Sequence, residues 1–600
     1  MKFSTISFSA FCFVISFEEN VHAQLTQRAS LGIFGQAGAD SDSPSITADG
    51  RYVAFASYAN NLVSDDTAGC TDIFVRDLWT ATTERVSVST AGVQADNLCD
   101  LPSISGDGRI VVFQSAASNL ALPATQSNQV FVRDRLNGTT ELASVSSNGV
   151  AANAKSEHPC ISADGRYVAF QSYAGSLAPN GTDGQSAIYV RDLVHGTTER
   201  VNLSTQGVES DGESFLPAIS ADGRFVAFES LADNLVPGDT NGQTDIFLRD
   251  RATGTTERAN VSSASVQTNG HSGWCSISAD GRYVAFASTA SNLVAGDTNG
   301  TYDVFVRDRS SGTTEIVSVS TAGAVGNAPS LRPTISADGR CVAFISSASN
   351  LVAGDTNGTF DVFVRDRLSG TTVRASVASD GTQGNGSCNG GLTGPPSMTS
   401  DGRLVAFQSL ADNLVANDTN ATWDIFLRDR NASGFTSVCD AGLGGVIACP
   451  CSNPPSAPGR GCDNSAATGG AMLTASGVAY LSMDALVFTT SGEKPTATST
   501  LWQGTALSPN GIVYGQGVRC ANANLKRLFV KEAIGGSITA PDFGAGDPTI
   551  SARSAAKGDP IQPGQSRWYW VSYRDPFVLG GCSSASTFNG TQTARIDWSH

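Results

Sequence analysis

Short runs of β-branched and aromatic residues return along most of the chain with a period close to 58 residues. Residues 333–378 hold four of them: one ending at Ile335-Ser336, one from Cys341 to Phe344 after the turn Asp338-Gly339, one from Asp361 to Asp366 beyond a polar stretch, and one from Arg374 to Val377 after Gly370-Thr371-Thr372. Each run is too short for a helix and is bounded by Gly, Asn, Asp or Thr, so four β-strands per unit are predicted. Asp-Gly-Arg marks the same place in seven units, beginning at Asp49, Asp107, Asp164, Asp222, Asp280, Asp338 and Asp401. A lone four-stranded sheet leaves both faces uncovered, whereas seven set radially cover one another, so the expected fold is an all-β, seven-bladed β-propeller. Residues Thr26 to Leu31 repeat the fourth-strand pattern of Thr83 to Val88 yet precede the first unit. They are predicted to complete blade seven, whose own tail at Phe435 to Val438 is degenerate, and so to remove an exposed sheet edge.

The propeller is expected over residues 24–438. Ahead of it, Lys2 and the apolar stretch Phe3 to Phe17 lead to Val21-His22-Ala23, the pattern of a secretory signal peptide over residues 1–23 cleaved before Gln24. No later run reaches the roughly 18 apolar residues of a bilayer span, so no membrane span is expected, and the protein is read as secreted, periplasmic or cell-surface. Of 13 cysteines, Cys12 lies in the leader, which leaves an even number for an oxidising compartment, as in a disulfide-bonded protein. Six of these, Cys439, Cys449, Cys451, Cys462, Cys520 and Cys582, crowd into residues 439–600, where the repeat has faded. Strand-like runs at Met472 to Leu473, Ala485 to Thr489, Gly511 to Tyr514, Lys526 to Val530, Trp568 to Tyr573 and Ala594 to Trp598 predict a small antiparallel sandwich there. Disulfides are favoured over zinc in it, because no second closely spaced cysteine pair or histidine partner accompanies Cys449 and Cys451.

Lys plus Arg 38 against Asp plus Glu 55 gives a net charge of −17. That is the wrong sign for phosphate backbones, and no nucleic-acid partner is expected. The excess belongs to the propeller: residues 24–439 carry 26 basic and 43 acidic side chains, residues 440–600 carry 11 and 10.

Each unit places a proline and a short strand before Ser-x-Asp-Gly-Arg, then a Val-Ala-Phe-like strand and an Asp-Ile-Phe-Val-like strand, as in Pro102-Ser103-Ile104-Ser105 and Asp245-Ile246-Phe247-Leu248. Over about residues 26–435 this resembles the TolB-type, dipeptidyl-peptidase-like propeller repeats. The resemblance implies the propeller fold and leaves function open, since such propellers serve as binding modules, assembly partners and regulatory caps of enzymes. In the tail, Cys449 to Asn453, Gly459 to Ser465, Gly517 to Cys520 and Tyr573 to Pro576 resemble a recurrent C-terminal module of secreted bacterial proteins.

Candidate chemistry in the propeller begins with Asp-Thr-Asn-Gly-x-x-Asp, found as Asp239, Asn241, Asp245; Asp297, Asn299, Asp303; Asp355, Asn357, Asp361; and, with Ala421 for Gly, Asp418, Asn420, Asp424. Carboxylates and an amide carbonyl are hard oxygen donors that suit calcium. The spacing is not that of an EF-hand, and the same short side chains also cap turns by bonding nearby backbone amides. The Arg-Asp pair after each third strand and the Arg of Asp-Gly-Arg recur in every unit, which points to blade-to-blade hydrogen bonding. No Gly-x-Ser-x-Gly elbow occurs. His158, His195, His271 and His600 have no second histidine at metal-ligand spacing, and His158 and His271 are read as polar lining of the channel. Trp568 and Trp570 share one strand face, either as core or as a platform for a sugar ring.

The expectation is an exported, non-enzymatic binding or scaffold protein for a protein or glycan ligand. The alternative is an extracytoplasmic hydrolase or lyase with carboxylates at the propeller centre. No catalytic residue is assigned, and calcium is the one cofactor considered. Turns one-to-two and three-to-four are tight and uniform, whereas the opposite face carries long, variable segments, Glu209 to Phe215, His271 to Trp274 and Gly381 to Pro396, so a ligand is expected on that loop-rich face. An enzyme should show non-repeated, perturbed polar residues in the channel; a scaffold should show only repeated ones.

Overall fold

The computed structural model describes residues 25–67, 69–122, 127–178, 184–388, 394–430, 435–439, 449, 455–456, 460–462, 464–468, 470–476, 479, 484, 486–514, 516–562, 565–575, 588–591 and 593–598. The expected leader, residues 1–23, lies outside them. Among them no helix is long and apolar enough to cross a membrane.

Seven four-stranded antiparallel sheets form a seven-bladed propeller. Blade 1 consists of Ser41–Ile46, Tyr52–Ser57, Asp72–Asp77 and Thr82–Arg85, from the axis outward, and blades 2 to 6 repeat this order. Their innermost strands are Cys99–Ile104, Ser156–Ile161, Ser214–Ile219, Ser272–Ile277 and Ser330–Ile335. In blade 7, Ser397–Met398, Leu404–Ser409 and Asp424–Asp429 are joined by Leu25–Arg28, which pairs antiparallel with Asp424–Asp429 from Leu25↔Asp429 to Arg28↔Phe426. Ring closure by the N-terminal strand is therefore as expected. The supposed tail of blade 7 is not: Phe435–Cys439 pairs with Thr593–Asp597 in the C-terminal sheet. The boundary expected at 438/439 thus falls inside a strand.

Second and third strands are buried on both faces because each sheet is covered by two neighbours, which explains their nearly continuous apolar runs. One interface packs Ala285, Val304 and Val306 of blade 5 against Val342, Phe344 and Phe363 of blade 6. The Asp-Gly-Arg turn also packs against the preceding blade, as between blades 3 and 4. Gly223 has φ +72°, and a Cβ there would lie 2.2 Å from the Tyr167 ring of the preceding blade. Gly223→Ala is expected to destabilise the protein by at least about 1–2 kcal/mol through the left-handed conformation alone, read as a lower urea midpoint.

The recurrent arginines divide their work. In every blade the Arg of Asp-Gly-Arg pairs with the Asp ending the third strand of the same blade, as in Arg224–Asp250 and Arg282–Asp308, both 2.7 Å. This half of the expected network is within blades, because those two strands are hydrogen-bonded neighbours. The Arg before that Asp does cross between blades: Arg249 donates to the Ser204 carbonyl (3.0 Å) and Arg307 to the Ser262 carbonyl (3.2 Å).

In the C-terminal region, Thr498–Gly504 and Ser566–Arg574 lie at the centre of a six-stranded antiparallel sheet. A three-stranded sheet of Met472–Ser476, Val487–Ser491 and Thr539–Ala540 packs on it through Leu473 and Phe488 against Leu501 and Tyr569. Trp570 is 1% exposed, stacked on Trp502, so it serves the core. Cys449 and Cys462 are disulfide-bonded, and Cys520 is bonded too. Cys451, Cys582 and the side chain of Cys439 lie outside the described residues. The propeller cysteines differ: Cys99, Cys160, Cys275, Cys341 and Cys388 are free thiols.

Candidate functional site in the propeller channel

The innermost strand of blades 1 to 6 is irregular at one place. Its ladder with the second strand slips between the second and fifth residues, as between Asp42 and Ser45 or Gly273 and Ser276. The third residue is left-handed although never glycine: Ser43, Leu101, His158, Leu216, Trp274 and Arg332 have φ between 46° and 53°. Such backbone is strained and persists only where its surroundings hold it. A bulge of this kind re-aims side chains, here toward an axial cavity of about 650 Å³ lined by all seven innermost strands. Proline follows the left-handed residue in five of the six blades and has no N–H to leave unpaired.

In four of the six blades the N–H of the left-handed residue is satisfied from the preceding blade, whereas Leu101 donates to Asp100 of its own strand (2.7 Å). Gln114 accepts from His158 (3.0 Å), Gln171 from Leu216 (3.1 Å) and Gln408 from Ser43 (3.3 Å), each from the fifth position of a second strand. At that position blade 4 has Glu229, which accepts from the Trp274 N–H through Oε1. The second oxygen, Oε2, accepts no hydrogen bond among the described residues. Glu229 is 8% exposed and lines the cavity. Burial pushes its carboxyl up to about 7, the Trp274 N–H offsetting only part. Ionised, it costs the fold roughly 3 kcal/mol relative to an ordinary glutamate, in a place where three sister blades use a neutral amide.

Blade 5 departs furthest from the common pattern. It has Trp274 at the left-handed position, Cys275 in place of proline and Gly273 before them. A Cβ on Gly273 would lie 3.3 Å from both Glu229 oxygens, so the glycine leaves that carboxylate uncovered. The Trp274 ring meets Tyr302 edge-on at 5.3 Å, and His271 meets Tyr302 at 6.2 Å. Burial, with the Glu229 charge second, raises the Tyr302 phenol.

Elsewhere in the cavity wall are His158 and Arg332, both lowered by burial. Asp42 and Asp100 stand one residue before the left-handed position on adjacent blades. Burial, then the Asp100 charge, lifts Asp42 to about 6, and burial raises Asp100. Oδ1 of Asp42 is buried without a hydrogen-bond partner among the described residues. Burial holds the Cys160 thiol near 12 and pushes Cys275 well above the ordinary thiol range, so neither is a thiolate nucleophile at neutral pH. His158 is thus a channel residue within the strand, and His271 sits just before one. His195 lies on the tight-turn side against Asp192, and His600 is outside the described residues.

The four acidic motifs lie away from the axis, before the third strands, and arginine meets three of them. Arg258 reaches Asp239 and Asp245, both at 3.0 Å; Arg374 reaches Asp355 (3.5 Å) and Asp361 (3.6 Å); Arg28 reaches Asp418 (2.6 Å) and Asp424 (3.4 Å). Asn241, Asn299, Asn357 and Asn420 each donate to the second Asp of their own motif. Blade 5 keeps Asp297, Asn299 and Asp303, but Ile316 stands at the register position of the arginine. Among the described residues no three His, Cys, Asp or Glu side chains form a metal-binding group.

Glu229, Arg332, Asp42 and Asp100 were not singled out by the sequence analysis. For Arg332, Asp42 and Asp100 the available signal was the two residues before the first-strand proline, and for Glu229 the fifth residue of the second strand, both of which vary between blades while their flanks repeat.

No family model matches the chain, and no curated protein matches it. Similar solved structures include an oligogalacturonate lyase in complex with manganese (11% identity, TM-score 0.43, 68% of this chain and 96% of that one). They also include an oligogalacturonate lyase from Vibrio parahaemolyticus (12%, 0.42, 68% and 97%) and TolB from Acinetobacter baumannii (16%, 0.30, 64% and 78%).

Proposed function

We propose that this is an exported binding protein that receives a polar ligand, a glycan or peptide segment, in the loop-rich half of its propeller channel. One observation carries the reading. Seven units that repeat in strands, turns and ion pairs present Ser43, Leu101, His158, Leu216, Trp274, Arg332 and Pro395 at one channel-facing position. Architectural need alone would repeat there too; diversity on a strained, held backbone is what selective recognition requires. These residues lie toward the end where blades connect and second-to-third loops begin. The test is a glycan and peptide array probed with the mature chain and with a Trp274→Leu, Arg332→Leu variant. A bound compound lost in the variant supports the channel; binding that maps to the tight-turn face overturns it.

A second reading, cleavage of polysaccharide or peptide, draws on the part-buried neighbours Asp42 and Asp100, both raised by burial and coupled through the Asp100 charge on Asp42, since a pair of interacting carboxyls can share acid and base roles. Under it, Asp42→Asn abolishes release of new ends from a bound polymer and spares binding. A parent protein that releases none excludes that reading.

A further inference from the structure

Resting on the channel reading, we infer that the part of the channel wall formed by Glu229 and Trp274, with Tyr302 packed edge-on against the Trp274 ring, takes a cationic ammonium group of the ligand, as carried by an amino sugar, a lysine side chain or a peptide amino terminus. Three independent features converge. Glu229 is buried in the cavity wall with one oxygen unbonded, in a register position where Gln114, Gln171 and Gln408 show that an amide satisfies the backbone equally well. A hydrogen-bond acceptor alone therefore does not explain the charge. Trp274 and Tyr302 stand at 67° to one another, 5.3 Å apart, and aromatic faces attract cations most strongly where water is excluded. Gly273 replaces the larger second residue of other blades and leaves both Glu229 oxygens uncovered. A buried carboxylate beside aromatic rings complements an ammonium ion and disfavours an anion or a neutral group. The titratable neighbours do not supply that cation: the thiols of Cys160 and Cys275 and the Tyr302 phenol are neutral at pH 7, burial lowers His158 and His271, and the Arg332 charge in the same wall does not act on Glu229.

Tetramethylammonium chloride serves as the probe, with tert-butanol as a neutral control of similar shape, each titrated into the mature chain and followed by thermal shift. Saturable stabilisation by the cation and none by the alcohol is expected. Glu229→Gln, which installs the residue of the sister blades, should weaken cation binding at least about tenfold, the loss of one desolvated charge contact. Trp274→Leu, the residue of blades 2 and 4, should weaken it similarly. Both substitutions are native to this fold at that register, and circular dichroism checks that each variant is folded. No saturable binding, or binding indifferent to Glu229→Gln, overturns the inference. An array compound lost in Trp274→Leu but bound equally by Glu229→Gln overturns it while leaving the channel reading standing.

Discussion

A chain whose leader is joined directly to residue 32, lacking Gln24 to Leu31, is expected to lose more than about 4 kcal/mol of stability, in the range reserved for breaking a buried network. Removing Leu25–Arg28 leaves the third strand of blade 7 as an open edge, with backbone groups that paired along four residues now unmatched. It also strips buried side chains. The Ser30 hydroxyl donates to Asp424 and accepts from the Ile425 N–H; Arg28 spans Asp418 and Asp424; Thr26 accepts from Arg428 and donates to the Val377 carbonyl of blade 6. Asp424 is wholly buried, and without Arg28 and Ser30 its charge keeps only Asn420 among these partners. Because every blade is covered by its neighbours, the gap exposes the flanks of blades 1 and 6 as well. Thermal and urea unfolding against the parent measure the effect, and a peptide of residues 24–31 added in trans should recover part of it. A truncated chain that melts with the parent would show that the ring does not depend on this strand.

That strand was legible because a repeat makes its own template: Thr-Gln-Arg-Ala-Ser-Leu is a fourth strand wherever it occurs, and its misplacement before the first unit has one topological solution. The channel was less legible for the converse reason. Trp274 and Glu229 matter where they break the pattern, and their meeting depends on a bulge that turns the third residue of one blade toward the fifth residue of another blade's second strand. Nothing in a hydrophobic period announces a left-handed leucine or tryptophan. The arginine that stands between the two carboxylates in three of the acidic motifs was not legible beside them, because it comes from the fourth strand, some 13 residues beyond the second Asp in Asp245–Arg258. In the C-terminal region the central strand Thr498–Gly504 escaped detection because Thr, Ser and Gln dominate it. Two of its polar residues, Ser499 and Gln503, are fully buried, and Glu493, Ser554 and Asp559 satisfy them.

The missing arginine of blade 5 gives the second large effect. Asp297 and Asp303 are buried, and Asp303 receives the Ser318 hydroxyl and Asn299 amide at 2.6 Å each, but no cation stands where sister blades place one. Burial raises both carboxyls, Asp303 to about 6 despite those bonds, and Asp297 adds to it. The sign follows from the raised value: folded Asp303 holds its proton more tightly than the unfolded chain does, so its contribution is most favourable below the ordinary 3.8 and is lost as pH climbs to about 6. Ile316 pairs with Phe305 as Arg258 pairs with Phe247 and Arg374 with Phe363. In Ile316→Arg a guanidinium therefore lies over Phe305 and reaches both carboxylates, as Arg374 does over Phe363. The expected result is a gain of about 1–2 kcal/mol at pH 8, a buried pair completed less the desolvation of the arginine, shrinking toward zero at pH 4, where Asp303 is protonated. Urea midpoints of parent and variant from pH 4 to pH 8 give the difference directly and cancel the other titrating groups, among them Asp42 and Glu229, which also rise with burial. Parallel curves, or a variant weakened at every pH, would mean that the blade 5 carboxyls carry no charge for an arginine to meet.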